Sequence, residues 1–575
     1  MGRRLNQPTS QFTLLPWLIA CAPAWLIGCA PGATTTGPHQ PTSAENEQAA
    51  ETAPSSDEAQ KPPSPRADLL YAAHPAVPTP ASSCVQGAAL PKRAVCQDPQ
   101  ADLAEALTES GSKRDAALAL LEGCDAFEAG LIRALRADLW PAECADVLVS
   151  AVVGEATASS TPAPALAKDV QEALVGLGLA ARLRRLAMDA PKAPVARDKA
   201  TLELYYKESL FPWIEQQAAA IYVMAAQGKA LHSYAKGLVA IEAGNADMRF
   251  VEVARSAPIA EEIAKFPEAR DVYYATLDER LEPRKGRGSA AALVGLREMA
   301  QVGIRSSDRV TSARTLLSRA YGGRRVNALD SLLVSAVPAQ PASDATDAIA
   351  SHVPTVYATA LVGRTTVTDH LVRAHLQMGL PTGLRREVEA GAGGGGAQFL
   401  LARALFEQGR TYFRAQDFQD ASQLLTGLLD AESPSEGAAP ALTPEQQQQA
   451  MLLRALCVAL LAGPKDAAEM IAQGPRFADA LGNLVLLDGM ATSRGPEAGR
   501  AAFNAAYLRE LVINPADPEA WGDLVQRYNA AATRLTGAEA KLAKDRAQAC
   551  KDIERTVRSE AKKKTSTAAT GSKPN

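Results

Sequence analysis

Aromatic side chains are scarce in this sequence: five tryptophans, twelve tyrosines and eleven phenylalanines among 575 residues, 5% of the chain. A β-rich protein of this size fills its sheets with aromatic and β-branched residues, and no series of segments here alternates apolar and polar with period two. The scarcity therefore argues against a β-fold. An excess of positive charge is absent as well. The formal net charge is −4, which removes any general case for nucleic-acid binding. Only six histidines occur, and His370 and His375 are five apart, so on a helix they point to different faces and make a poor metal pair. No Gly-Lys-Ser or Gly-Lys-Thr is present, which excludes a phosphate loop. Beyond residue 27 no apolar run reaches the ~20 residues that a membrane-spanning helix needs.

What is present is small and helix-forming. Hydrophobic residues make up 47% and charged residues 22%, the balance of a globular chain rather than a disordered one, and alanine is abundant throughout. Closely packed helices use small residues. The length allows two or three domains. The expected fold class is all-α.

The N-terminus carries the clearest motif. Met1-Gly2-Arg3-Arg4 is a positive start, and Phe12 to Ile27 is an apolar run without charge, as in a secretory signal. Pro16 and Pro23 argue against one continuous spanning helix. The run ends Leu26-Ile27-Gly28-Cys29, which resembles the lipobox of bacterial lipoproteins. The resemblance implies cleavage between Gly28 and Cys29, lipidation of the Cys29 thiol and a new N-terminus at that residue. Two or three acyl chains, at about 0.8 kcal/mol per buried methylene, anchor a protein far more firmly than one. Ala30 follows the cysteine where many inner-membrane lipoproteins carry Asp. The expected location is therefore the cell envelope, lipid-anchored at the outer membrane and facing the periplasm.

From Ala30 to about Arg66 the chain is rich in Pro, Ser, Thr, Glu and Gln. Such a stretch cannot bury enough surface to fold and reads as a disordered tether. Cys84, Cys96, Cys124 and Cys144 follow within one quarter of the chain, consistent with an oxidising compartment. Four cysteines allow three pairings. Cys84–Cys96 is the easiest closure, because Ala88 to Pro91 can turn the chain between them. No pair has zinc spacing. Cys457 and Cys550 lie in helical patterns and read as small core residues.

From about Asp102 onward the apolar period is helical. Segments such as 115–121, 127–138, 141–153, 168–188, 214–227 and 230–242 are broken by glycine, proline and short polar loops, and paired helices continue through 268–281, 289–302 and 309–321. Near the C-terminus the pairs resemble tetratricopeptide repeats. Gly409, Tyr412, Ala421 and Leu425 fall at that repeat's small, aromatic, small and bulky positions around a turn at Gln416-Asp417. Trp521, Leu524 and Tyr528 match its opening Trp-x-x-Leu-(Gly)-x-x-Tyr, with Val525 in place of glycine. The resemblance implies helical hairpins stacked as an α-solenoid, each burying its apolar face on its neighbours and leaving a groove. The expected organisation is a signal peptide over 1–28, a lipidated tether over 29–66 and a cysteine-containing helical segment over 67–153. A central helical repeat region over 165–383, a tetratricopeptide-like region over 397–560 and a disordered tail over 561–575 complete it.

No constellation of catalytic residues emerges. Gly391 to Gly396 matches a dinucleotide fingerprint by letter but lacks the strand before it and the βαβ unit around it. Ser110-x-x-Lys113 and Ser233-x-x-Lys236 echo serine–lysine acyl enzymes without the companion Lys-Thr-Gly. Glu109-Ser110 and Glu208-Ser209 lack the Gly-Leu-Met-Gln continuation of the lytic transglycosylases, exported proteins that also carry α-superhelical arrays. No metal or cofactor is expected. The favoured reading is a membrane-tethered scaffold or adaptor whose repeat groove takes a protein or peptide partner. The alternative is an envelope enzyme, or enzyme accessory, acting on cell-wall glycan. One surface stands out as a candidate anionic-partner patch: Arg284, Lys285 and Arg287 in one expected turn, and Arg324 and Arg325 in another, on the same edge of an up-and-down array.

Overall fold

The computed structural model describes residues 76–86, 92, 94–128, 130–139, 142–150, 166–302, 307–321, 326, 328–336, 344–362, 385, 388–389, 394–412, 414–430, 442–461 and 483–570. Gly28, Cys29 and the tether, Arg324, Arg325, His370, His375 and Gly391 lie outside these residues. The fold is all-α: among the described residues there is no strand, only an isolated bridge between Ala94 and Cys124. None of the described helices is long and apolar enough to cross a membrane.

The first part comprises α1 (Ser82–Gln86), α2 (Pro99–Thr108), α3 (Gly111–Leu121) and α4 (Leu131–Leu139), followed by a 3₁₀ turn at Ala142–Cys144. Asp98 caps α2 by accepting from the Ala101 N–H at 3.3 Å, with Pro99 at the first helical position, where its missing N–H costs nothing. Arginine–carboxylate pairs tie these short helices together: Arg133 to Glu122 and Arg136 to Asp115, both at 2.5 Å. The planar guanidinium suits such buried, bidentate contacts.

The disulfides correct the expected pairing. Cys84 bonds to Cys144 and Cys96 to Cys124, not Cys84 to Cys96. The reason lies in backbone contacts remote in sequence. Ala94 N–H donates to Gly123 O at 2.8 Å, and Asp125 N–H donates to Ala94 O at 3.0 Å. That pairing lays Cys96 beside Cys124, with their Cα atoms 5.6 Å apart.

The central part contains α5 (Lys168–Arg185), α6 (Lys199–Tyr205) running through a π-turn (Tyr206–Leu210) into α7 (Phe211–Lys229), α8 (Ser233–Ser256), α9 (Glu261–Ala264), α10 (Pro267–Gln301) and α11 (Asp308–Tyr321). α8 is its axis and packs on α5, α7, α10 and α11. Glycines set how closely α8 and α10 approach. Gly237 and Gly244 on α8 face Gly295 and Gly288 on α10, seven residues apart on each helix. A Cβ on Gly244 would stand 2.7 Å from the Gly288 carbonyl oxygen, and one on Gly295 would stand 3.2 Å from the Gly237 oxygen. Seven residues are two helical turns, so both contacts fall on one seam.

α10 also overturns the expected basic turn at residues 284–287. It is one helix of 35 residues with Pro283 inside it. Pro283 is exposed, so the carbonyl that its ring leaves unpaired can turn to water. Arg284 and Arg287 both bond to Asp247 on α8, which is 2% exposed, at 3.1 and 2.9 Å. Lys285 pairs with Asp278 at 3.2 Å. The Arg284 guanidinium also lies 3.8 Å over the Phe250 ring. These three basic residues therefore lie along α10 rather than in a turn, Arg284 and Lys285 mostly covered and the Arg287 side chain half exposed.

A 3₁₀ turn (Ala328–Ser331), α12 (Ala345–His352) and α13 (Thr355–Val362) lead towards the C-terminal part. Asp138, from the end of α4, accepts from Tyr234 of α8 and pairs with Arg309 of α11. The Tyr234 and Tyr357 rings meet edge-on at 6.2 Å. This buried group ties α4, α8, α11 and α13 together. The C-terminal part is α14 (Gly394–Tyr412), α15 (Ala415–Asp430), α16 (Pro444–Leu461), α17 (Val485–Thr492), α18 (Ala498–Val512), α19 (Pro518–Ala532) and α20 (Gly537–Thr570). Buried Asn504 of α18 bonds to both the N–H and the carbonyl of Leu333 at 2.7 Å, and Gln408 of α14 donates to Ala300 O at 2.9 Å. One hydrophobic core runs from Leu103 to Cys550. Two boundaries differ from expectation. Gln416 and Asp417 lie in the first turn of α15 rather than between helices, and α20 continues through residues 561–570, where a disordered tail was expected. Alanine and lysine, both good helix formers, fill the start of that extension.

Candidate functional site

A cleft lies between the last two helices, α19 and α20. Asp517 caps α19 by accepting from the N–H groups of Glu519 and Ala520 at 2.9 and 3.3 Å. One face of α19 then buries Trp521, Leu524 and Tyr528, none more than 3% exposed. The Trp521 indole N–H donates to Pro515 O at 3.2 Å. The Tyr528 hydroxyl donates to Glu510 of α18 at 2.6 Å, and Arg546 of α20 meets the other oxygen of Glu510 at 3.1 Å. Burial first, and the Glu510 charge second, hold the Tyr528 phenol far above its ordinary pKa, so it remains a donor.

The opposite face of α19 and the facing side of α20 enclose about 850 Å³. α19 contributes Glu519, Gly522, Gln526 and Asn529, and α20 contributes Lys544, Gln548, Lys551 and Arg558. Gly522 faces the Glu554 carboxylate, which would lie at ordinary contact distance, 3.4 Å, from a Cβ placed there. Arg558 is held by Glu554 at 2.9 Å, and Asp523 by Arg527 at 2.6 Å. Lys544 and Lys551 have no ion-pair partner among the described residues. Seven residues apart on a helix, they stand about 10 Å from each other along one wall. Amides on both walls and two uncommitted ammonium groups are suited to hydrogen-bonding an extended polypeptide.

Sequence reasoning found the buried side of this site and missed the open one. Positions 544, 548, 551 and 558 on α20 and 519, 522, 526 and 529 on α19 form two polar faces at helical period, a pattern that does not distinguish a groove from open solvent. The helix pair α14–α15 also buries the residues singled out in its sequence. Tyr412, Ala421 and Leu425 are at most 1% exposed, and Gly409 lies so close to Phe418 that a Cβ would be 2.9 Å from its ring.

The other candidates do not converge. Lys236 of Ser233-x-x-Lys236 is tied to Glu298 at 2.6 Å. Glu208 and Ser209 are exposed in the π-turn. Glu242 is fully buried, with one oxygen lacking a hydrogen bond, but it pairs with Arg184 at 3.3 Å and lines no cleft described above. Burial raises the Cys457 thiol pKa, which makes it unreactive. Among the described residues, no three His, Cys, Asp or Glu side chains are grouped to hold a metal ion. A smaller cleft of about 260 Å³ lies near the first helices. No protein-family model matches the chain, and neither a curated protein nor a solved structure matches it significantly.

Proposed function

We propose that this protein is a lipid-anchored scaffold of the bacterial envelope, its helices arranged as a tetratricopeptide-like solenoid, which engages a protein partner through the α19–α20 groove. The observation that carries the binding half is the pair of uncommitted lysines, Lys544 and Lys551, among groove amides. Helical hairpins whose repeat-signature positions are close-packed support the scaffold half: Gly409 against Phe418, and Trp521 and Tyr528 in the core. The anchoring half rests on Leu26-Ile27-Gly28-Cys29, and the outer membrane is the favoured location because Ala30 follows the cysteine. Metabolic labelling with a fatty acid tests the anchor. Wild-type protein should incorporate label and Cys29→Ser should not. An unlabelled wild type would remove the membrane from this reading.

A further inference from the structure

The two disulfides meet solvent differently. Cys84, Cys124 and Cys144 are 3%, 0% and 6% exposed. Cys96 is half-buried in a segment whose neighbours Ala94, Val95, Gln97 and Asp98 are exposed. Two backbone hydrogen bonds join this segment to the 123–125 turn through Ala94. Two residues beyond each of these cysteines, the chain forms the smaller cleft. Asp98, Pro99 and Gln100 make one wall, and Ala126, Phe127 and Glu128 make the other. The Cys96–Cys124 bond therefore ties the two walls together where they begin, while Leu131, Ala360 and Leu361 line the rest of the cleft.

We propose that Cys96–Cys124 is a redox latch on this cleft, opened by a dithiol reductant, while Cys84–Cys144 remains a structural tie. A thiolate of the reductant attacks the accessible Cys96 sulfur, and the Cys124 sulfur leaves as a thiolate and takes up a proton. The second thiol of the reductant attacks the mixed disulfide, so Cys96 leaves as a thiol and the reductant departs as its internal disulfide. Two electrons and two protons pass to the protein, and nothing else is consumed. Once the bond is open, two backbone hydrogen bonds in an exposed segment do not offset the conformational entropy that the segment regains. The 94–97 segment then separates from the 123–125 turn and the mouth of the cleft widens, while α2 stays packed through Leu103 and Leu107.

Graded dithiothreitol treatment of the oxidised full chain, followed by alkylation and mass spectrometry of each cysteine, tests this. Cys96 and Cys124 should be alkylated about tenfold sooner than Cys84 and Cys144, because exchange follows access. Hydrogen exchange should accelerate in 94–98 and 123–126 and stay unchanged in α8 and α10. The Cys96→Ser/Cys124→Ser double variant should show the same local acceleration without reductant. Equal or reversed order of reduction would overturn the proposal. So would selective reduction, or the double variant, with no change in exchange at the cleft walls.

Discussion

Gly244→Ala and Gly286→Ala make the same chemical change, one on each of the two helices of the glycine seam, and are expected to act in opposite directions. Replacing a helical glycine by alanine gains about 1 kcal/mol of helix propensity. At Gly286 a new Cβ meets no heavy atom within 4 Å, so that gain stands alone. At Gly244 the Cβ would be 2.7 Å from the Gly288 oxygen and 3.2 Å from the Ala292 nitrogen. Both are backbone atoms of a 35-residue helix, not side chains that can rotate away. Ordinary contact requires α8 and α10 to separate by roughly half an ångström, and overpacking of this kind costs about 1–3 kcal/mol. With backbone opposing backbone the upper end applies. The net loss at Gly244 is then about 2 kcal/mol, and the two variants should differ by about 3 kcal/mol. Urea unfolding with hydrogen-exchange readout of α8 and α10 reports this directly. A Gly244→Ala protein as stable as Gly286→Ala would refute the glycine seam.

Asp417 is fully buried, neither of its oxygens has a hydrogen-bond partner, and burial lifts its pKa to about 6 despite Arg414 at 3.4 Å. The folded state therefore binds the proton more tightly than the unfolded state, whose aspartate titrates near 3.9. Its contribution is fully present below about pH 4 and lost as pH rises through about 6. Asp417→Asn should be more stable than wild type at pH 7.5, by on the order of 3 kcal/mol, and equal to it near pH 4. Urea titrations showing the same difference at both pH values would contradict this. Trp521→Ala should destabilise the C-terminal helices by about 3–5 kcal/mol and speed proteolysis there while sparing α2 to α11. An unchanged protease profile would contradict the core role of Trp521.

The helical period made most elements legible, because apolar stripes record which face is buried whatever lies opposite. It failed where a local break signal was answered by a distant contact. Residues 284–287 read as a turn between helices at 268–281 and 289–302. Yet Pro283 faces solvent, Gly288 is needed for the approach of α8, and Arg284 and Arg287 are paid for by Asp247, some forty residues earlier. The disulfides failed in the same way. Short sequence separation favoured Cys84–Cys96, but the contact of Ala94 with the 123–125 turn decides where Cys96 lies. At the groove, Trp521, Leu524 and Tyr528 were legible because burying large side chains leaves a pattern. Gln526, Asn529, Lys544 and Lys551 were not, because a polar face towards a groove reads like a polar face towards water.

Site-specific photo-crosslinking from Gln526, in cells producing the full chain, tests the groove most directly. Glu262, exposed in α9, serves as the control position. The expected result is a discrete protein adduct from Gln526, none from Glu262, and loss of the Gln526 adduct in a Lys544→Glu/Lys551→Glu variant that folds as wild type does. Equal adducts from both positions, or a Gln526 adduct unaffected by the charge reversal, would contradict recognition through this groove.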